Sequence, residues 1–141
     1  MEVEQLIKIL DMYIGIDLGG TKTEVILINE NGDEIERLRK KTPKNYKGTI
    51  DIICELVSFI ENKHKKNCKI GLGTPGALSK ETQCIKGGNS TWLNGRTLKK
   101  DLEFKLNRKI LLENDANCFA LSEAFDGAGF DQEIVFGVIL G

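Results

Sequence analysis

The order of apolar and polar positions predicts three consecutive strands near the start of the chain. Residues 13–18 and 23–29 are apolar runs separated by a pair of glycines. An Asn-Gly pair at 31–32 is typical of a two-residue hairpin turn, so residues 34–41 are expected to return as a third, more exposed strand. Three sequential antiparallel strands are therefore the predicted beginning of the fold.

Helical periodicity then alternates with short apolar strands, and a glycine-punctuated stretch at 77–96 interrupts the alternation. The helices are predicted over residues 49–63, 98–107 and 115–125, and the strands over 68–73, 110–112 and 134–140. Antiparallel strands followed by alternating helix and strand predict an α/β fold, with a mixed sheet and helices packed on its faces.

Composition and charge are those of an ordinary globular protein. The 141 residues are 40% hydrophobic and 29% charged, and the formal net charge is −1. This size suits one compact domain, and the small net charge offers no global attraction to nucleic acid or anionic lipid. No signal peptide is visible, and no apolar run approaches the roughly 20 residues that span a bilayer. We therefore expect neither a nucleic-acid partner nor a membrane partner.

The cysteines and the single histidine do not indicate a metal centre. The four cysteines stand far apart, at positions 54, 68, 84 and 118. They lack the close Cys/His spacing of a zinc site, so no zinc site is expected in this chain. Scattered free thiols fit a reducing compartment and favour a cytoplasmic location. The basic run at 63–66 is interpreted as a solvated helix end that complements the helix dipole, and His64 is assigned no catalytic role.

The glycine pair between the first two strands is the first candidate site. Gly19 and Gly20 lack Cβ atoms, and their amides can donate to phosphate oxygens together with the Thr21 hydroxyl. Asp17, at the end of the preceding strand, can hold Mg²⁺ directly or through water. The alternative is a plain hairpin with a glycine turn and a surface aspartate, and this motif alone leaves both interpretations open.

The segment Glu113-Asn114-Asp115-Ala116-Asn117 is the second candidate, placed where a strand passes into a helix. In one interpretation Asn114 or Asp115 is an ordinary helix N-cap. In the other, Asp115 accepts the proton of an attacking sugar hydroxyl, and Asn114 offers a donor and an acceptor to ring hydroxyls.

Two loop segments form the third candidate: residues 73–76 (Gly-Thr-Pro-Gly) and 89–95 (Asn-Ser-Thr-Trp-Leu-Asn-Gly). Asn89 and Trp92 lie in a polar, loop-like stretch, where binding residues concentrate. Sugars need bidentate polar groups, and an aromatic wall helps to shape such a pocket. In the alternative interpretation, Trp92 is a packing anchor and Asn89 a turn residue.

Together these segments resemble the ROK family of sugar kinases (repressors, open reading frames and kinases) within the actin/hexokinase superfamily. Residues 17–21 are similar to the family's first phosphate loop, 73–76 to its GxPG loop, and 113–117 to its sugar-binding and catalytic-base motif. The resemblance covers about residues 12–141, and the 89–95 segment looks most like the bacterial fructokinase/mannokinase branch. The implied fold is the actin/hexokinase-like (ribonuclease H-like) mixed sheet.

The resemblance implies an ATP-dependent kinase that transfers the γ-phosphate of ATP to a hydroxyl of a hexose such as fructose, mannose or glucose. It implies Asp115 as the catalytic base and Asp17 as the residue that holds Mg²⁺ through ATP. The other implied contacts are Asn89, Asn114, Gly76 and Glu113 to the sugar, and Asp17, Gly19, Gly20, Thr21 and Lys22 to the ATP phosphates.

Members of the family are about twice this length, so the resemblance also implies a domain division. Residues 12–131 are expected to form an N-terminal kinase domain and residues 132–141 the first strand of a C-terminal domain, while residues 1–11 are an extension of doubtful status. A zinc site is expected only in that C-terminal half, and the chain alone is expected to be inactive.

Three alternatives stay open. The first is a non-catalytic sugar-binding remnant, the second is an isolated domain that forms a homodimer, and the third is a fragment of a ROK-type transcriptional repressor.

Overall fold

The fold is known from a computed structural model that describes residues 11–115. The predicted helix over 115–125 and the predicted strand over 134–140 lie outside these residues, apart from Asp115, the last described residue, whose backbone is helical. Within the described part, no helix is both long enough and apolar enough to cross a bilayer.

A five-stranded mixed sheet organises the described residues. Its strand order is β3-β2-β1-β4-β7, in which β1–β2 and β2–β3 are antiparallel while β1–β4 and β4–β7 are parallel. The three consecutive antiparallel strands predicted from the sequence are confirmed. The strands are β1 (Met12–Leu18), β2 (Lys22–Asn29), β3 (Glu34–Lys41), β4 (Lys69–Thr74), β5 (Ala77–Leu78), β6 (Ile85–Lys86) and β7 (Ile110–Asn114).

Two helices pack against one face of the sheet, α1 (Tyr46–His64) and α2 (Leu98–Leu106). In β1, alternate residues point to this face, so Ile14, Ile16 and Leu18 are buried while Asp17 is not. They share the core with the apolar stripe of α1, whose Ile53 is fully buried. Burying one such side chain contributes about 1.5–3 kcal/mol, so this face holds the fold together.

Helix α1 begins three residues before the predicted start at 49 because Asn45 caps it. The Asn45 side chain accepts a hydrogen bond from the amide of Gly48 at 2.7 Å. At the other end Lys65 adopts a left-handed conformation with φ of 50° and closes the helix. Lys63 and His64 do lie in the last turn, but both also contact Glu36 of β3, so His64 is partly covered rather than fully solvated.

The hairpin between β2 and β3 exists, but the prediction of a two-residue turn is wrong. Its loop has three residues, since the Asn29 amide donates to the carbonyl of Asp33 at 3.1 Å. Gly32 takes a φ of +84°, the left-handed conformation that closes such a loop with a bulge.

The stretch predicted as an excursion, 77–96, contains the short antiparallel pair β5–β6 and a 3₁₀ turn at Thr91–Leu93. It leaves the sheet at the end of β4 and returns through α2 to β7, which lies beside β4. This connection places the excursion near the carboxyl ends of the parallel strands β4 and β7.

Candidate active site

The parallel strands β1, β4 and β7 all end at the same side of the sheet, here called the carboxyl edge. The predicted motifs lie at these strand ends. The register places Asp17 of β1 beside Gly73 of β4, and Gly73 beside Glu113 of β7. Because neighbouring strands lie about 4.8 Å apart, Asp17 and Glu113 are separated by about 10 Å across the sheet. The glycine loop and the Asn-Asp motif therefore share the carboxyl edge of the sheet.

The Asp17 carboxyl lies in a group of acids at this edge. Although part of its side chain reaches solvent, burial raises the pKa of Asp17, and the nearby carboxylates of Asp115 and Glu24 raise it further. Arg39 acts in the opposite direction. Asp17 and Asp115 are therefore close enough to repel each other, a situation that a bound divalent cation relieves.

The two glycines of the loop formed by Gly19, Gly20 and Thr21 lie close to neighbouring atoms, more closely at Gly19 than at Gly20. The amide of Gly19 donates to the carbonyl of Lys22 at 3.0 Å, and a Cβ on Gly19 would lie 2.7 Å from that same carbonyl oxygen. A Cβ on Gly20 would lie 3.0 Å from the hydroxyl oxygen of Ser90. The second glycine therefore marks the contact between this loop and the 89–95 segment.

The hydrogen-bond donors of this loop suit a phosphate group of ATP. Within residues 11–115, the amides of Gly20 and Thr21 have no hydrogen-bond acceptor, and the ammonium group of Lys22 forms no ion pair. The side chains of Thr21 and Lys22 are both exposed. Two amides, a hydroxyl and an ammonium are the donors of a phosphate cradle, and the Asp17 carboxylate is the type of ligand that Mg²⁺ prefers.

Gly76 links the loop after β4 to the excursion and to the end of β7. Its φ is +80°, and a Cβ there would lie 2.5 Å from the carbonyl oxygen of Lys86 and 2.8 Å from the amide of Gly88. Its carbonyl accepts a hydrogen bond from the side-chain amide of Asn114. The loop after β4 is thus fixed to the excursion on one side and to the end of β7 on the other.

Asn94 holds this arrangement and was not singled out from the sequence. Its side-chain amide donates to the carbonyl of Gly88 at 3.0 Å, and its side-chain oxygen accepts from the Gly88 amide at 3.0 Å. The backbone immediately before Asn89 is therefore clamped, while the Asn89 side chain itself is exposed. The glycine pair at 87–88 is the sequence feature that could have indicated this contact. Backbone without side chains can be approached closely by a hydrogen-bonding side chain such as that of Asn94.

Trp92 matches the packing interpretation rather than the pocket wall. Its indole N–H donates to the Thr49 hydroxyl at 3.1 Å, and its ring packs against the hydrophobic core.

Glu113, by contrast, is exposed at the sheet edge, and its carboxylate accepts from the Asn114 amide at 2.9 Å. Of the predicted site residues, Asn114 is hydrogen-bonded to Gly76, Asp17 interacts electrostatically with Asp115, and Gly20 lies against Ser90 of the 89–95 segment.

Two further observations concern metal sites and cavities within residues 11–115. No group of three or more His, Cys, Asp or Glu side chains is placed there to hold a metal ion. A cavity of about 160 Å³ lies between β3 and α1, and it contains none of the predicted site residues. Its lining residues are Leu38, Arg39, Lys40, Glu55, Leu56 and Phe59.

Comparison with known proteins decides the family. The sequence model of the ROK family matches residues 13–141, which is most of the chain. The chain belongs to the ROK family. An N-acetyl-D-glucosamine kinase from Aliivibrio fischeri is 41% identical to this chain over 132 residues. That alignment covers 92% of this chain but only 43% of the relative, so the chain spans less than half the length of the kinase it matches.

Solved ROK structures share the fold. A ROK family glucokinase from Streptomyces griseus, determined in complex with glucose and AMPPNP, matches with a TM-score of 0.73 and 27% identity. The match covers 86% of this chain and 38% of that one. A ROK hexokinase from Thermus thermophilus matches with a TM-score of 0.69 and 29% identity, covering 80% of this chain and 38% of the hexokinase. The predicted α/β, actin/hexokinase-like fold is therefore confirmed.

Proposed function

We propose that this chain provides the phosphate-binding and sugar-binding edge of an ATP-dependent sugar kinase of the ROK family. The observation that supports it most is the meeting of the Asp17 loop and the Asp115 helix start at one sheet edge. A phosphate donor held by the first and a hydroxyl held by the second lie within reach of each other there. Phosphoryl transfer requires chiefly this positioning, together with stabilisation of charge.

The proposed division of labour follows the donors at each motif. The amides of Gly20 and Thr21 and the ammonium of Lys22 bind the ATP phosphates, as part of the loop formed by Gly19, Gly20, Thr21 and Lys22. Asp17 faces the Mg²⁺ that accompanies ATP, and when bound this ion neutralises charge on the phosphates.

On the sugar side, Asn89, Asn114 and Glu113 contact ring hydroxyls, and Gly76 borders the pocket. Asp115 accepts the proton of the attacking hydroxyl. The oxygen of that hydroxyl forms a bond to the γ-phosphorus, while the bond from the γ-phosphorus to the ADP oxygen breaks.

The substrate is proposed at the level of a hexose or hexosamine. The relative at 41% identity is named for N-acetyl-D-glucosamine, and the glucokinase structure holds glucose. Neither match favours the fructokinase/mannokinase interpretation of residues 89–95, so fructose and mannose enter only as members of a test panel. The domain boundaries, the homodimer, the cytoplasmic location and a zinc site beyond this chain stay predictions.

The test is an ADP-release assay with Mg-ATP on the complete protein as its gene encodes it. The panel contains N-acetylglucosamine, glucose, mannose and fructose. Asp115→Asn is expected to lower kcat by about 10²–10⁴-fold, because general base catalysis typically contributes that much. Glu81→Gln is the matched control, since it also removes one carboxylate, from an exposed turn that contains none of the predicted site residues.

Two results would contradict the proposal. The first is ADP release that no sugar in the panel accelerates. If calorimetry nevertheless shows sugar binding, the non-catalytic sugar-binding alternative is favoured instead. The second is an Asp115→Asn variant with the same kcat as Glu81→Gln.

A further inference from the structure

Thr42, the residue after β3, makes three hydrogen bonds, two to the glycine loop and one to Thr23 of β2. Its backbone amide donates to the carbonyl of Thr21 at 2.8 Å, and its hydroxyl donates to the carbonyl of Gly19 at 2.8 Å. The hydroxyl of Thr23 lies 2.8 Å from the Thr42 hydroxyl. Thr23 and Thr42 are both buried, with Thr42 only 2% exposed.

The direction of these bonds follows from the number of protons. A hydroxyl carries one proton and two lone pairs, whereas a carbonyl oxygen only accepts. The Thr42 proton is therefore committed to Gly19, so Thr23 donates to Thr42. The hydrogen-bond chain runs from Thr23 through Thr42 to the carbonyl of Gly19, and each buried hydroxyl in it has an acceptor.

This chain sets the orientation of one peptide unit in the phosphate loop. The carbonyl of Gly19 and the amide of Gly20 belong to the same planar trans peptide, so they point in opposite directions. Holding the carbonyl towards buried Thr42 aims the Gly20 amide away from it. That amide has no acceptor within residues 11–115, as expected of a donor reserved for a ligand.

We propose that Thr42 is a positioning residue for the nucleotide phosphates, acting through the Gly19–Gly20 peptide. The inference rests on the proposed kinase function and adds a residue that none of the sequence motifs contains. Without the Thr42 hydroxyl, the peptide between the two glycines is free to rotate, because glycine tolerates both signs of φ. The loop would then lose an aligned donor before ATP binds.

The test compares Thr42→Val, which keeps the shape and removes the hydroxyl, with Thr42→Ser, which keeps the hydroxyl. Thr49→Val is the matched control, because Thr49 is equally buried and its hydroxyl contacts Pro43, Asn45 and Trp92 rather than the loop. In the complete protein, Thr42→Val is expected to raise KM for ATP about tenfold. In Thr42→Val, the sugar KM and kcat should stay within about twofold of the wild-type values. Thr42→Ser, which keeps the hydroxyl, should have the wild-type KM for ATP.

Hydrogen exchange at the Gly20 amide gives a second readout that needs no turnover. Thr42→Val should accelerate this exchange in the unliganded protein, whereas Thr49→Val should not. If Thr42→Val and Thr49→Val lower stability alike and leave KM for ATP unchanged, Thr42 is only structural and the inference is wrong. If the wild-type protein binds no nucleotide, the proposed function is contradicted and the phosphate role of Thr42 with it.

Discussion

Replacing Gly76 by alanine tests whether the loop after β4 is fixed by contact or only by its backbone conformation. Gly76 has a φ of +80°, which a residue with Cβ adopts at a cost. Its added Cβ would also collide with backbone, at 2.5 Å from the Lys86 carbonyl and 2.8 Å from the Gly88 amide. Gly32→Ala is a matched control, because Gly32 has a φ of +84° and nothing within 4 Å of its Cβ position.

The two substitutions differ only in the collision. A left-handed conformation costs a residue with Cβ about 1–2 kcal/mol, and both variants pay this cost. Both also reduce the entropy of the unfolded chain in the same way, so that effect cancels in the comparison. Forcing extra atoms against fixed backbone adds about 1–3 kcal/mol for Gly76 alone. The expected difference in the free energy of unfolding is therefore about 1–3 kcal/mol.

Urea denaturation followed by tryptophan fluorescence measures this difference. Trp92 is the single tryptophan of the chain, and its indole is held against Thr49 of α1, so its emission reports unfolding of the core. Enzyme assays of the same substitutions in the complete protein add a functional readout, because this chain alone is expected to be inactive. Gly76→Ala should raise sugar KM more than ATP KM, because the displaced carbonyl is the acceptor of Asn114.

Equal unfolding free energies for Gly76→Ala and Gly32→Ala would refute the reasoning. Such a result would mean that the segment containing Lys86 and Gly88 moves aside without cost, and that the loop is not held by it. A changed urea m-value in either variant would instead reveal an altered denatured state, so stabilities are compared only between variants with equal m-values.

Three further predictions concern Asp17 and Asn94 at this edge, and Glu61 near the opposite ends of β4 and β7. The pKa of Asp17 is raised in the folded state, so its ionisation opposes folding as pH rises above its unfolded pKa of about 3.9. Asp17→Asn should therefore be more stable than wild type at pH 7 in urea titrations, with the advantage gone near pH 3, while ATP binding is weakened; equal stability at both pH values would contradict this. Asn94→Ala should lower stability by about 1–2 kcal/mol and raise sugar KM severalfold, because both bonds to Gly88 are lost; an unchanged sugar KM would show that the clamp is not needed. Burial is the largest single effect on the pKa of Glu61 and raises it, but Arg108 and the Cys68 amide together lower the pKa overall, so the stabilisation from Glu61 is present above its unfolded pKa and is lost as pH falls through its lowered folded pKa. Glu61→Gln should cost about 1–3 kcal/mol at pH 7 and much less at pH 3, as measured by thermal denaturation across that range.

Local patterns predicted the parts of the fold that local physics decides. The alternation in β1 and the helical stripe of α1 both depend on which side chains are buried, and both elements were found within three residues of their predicted bounds. The sharp turn at Gly19 was also predictable, because glycine stands where the backbone must turn tightly, and a Cβ there would lie 2.7 Å from the Lys22 carbonyl oxygen. Hairpin length was missed, since Asn-Gly serves both two-residue and three-residue loops and only the pairing of Asn29 with Asp33 decides.

Contacts between distant segments account for what the sequence did not show. Thr42 follows a strand of charged residues, and nothing in its neighbouring sequence indicates its contacts. Its partners lie near residue 20 and come into contact with it only through the pairing of β2 with β3. Glu36 likewise faces Lys63 and His64 only after α1 packs beside β3. A polar residue whose partners are twenty residues away is indistinguishable from a solvated one in a single sequence.

The mixed character of the sheet explains why such different motifs meet. A hairpin turn supplies amides without ladder partners, and a strand-to-helix junction supplies side chains such as Asn114 and Asp115. β1 is antiparallel to β2 but parallel, through β4, to β7, so its carboxyl end carries the turn and lies at the same edge as the junction. If β7 were antiparallel to β4, Asp115 would lie at the opposite edge, more than a strand length from Asp17. The parallel pairing of β1, β4 and β7 is thus the structural condition for the proposed site, at which phosphate and hydroxyl would meet.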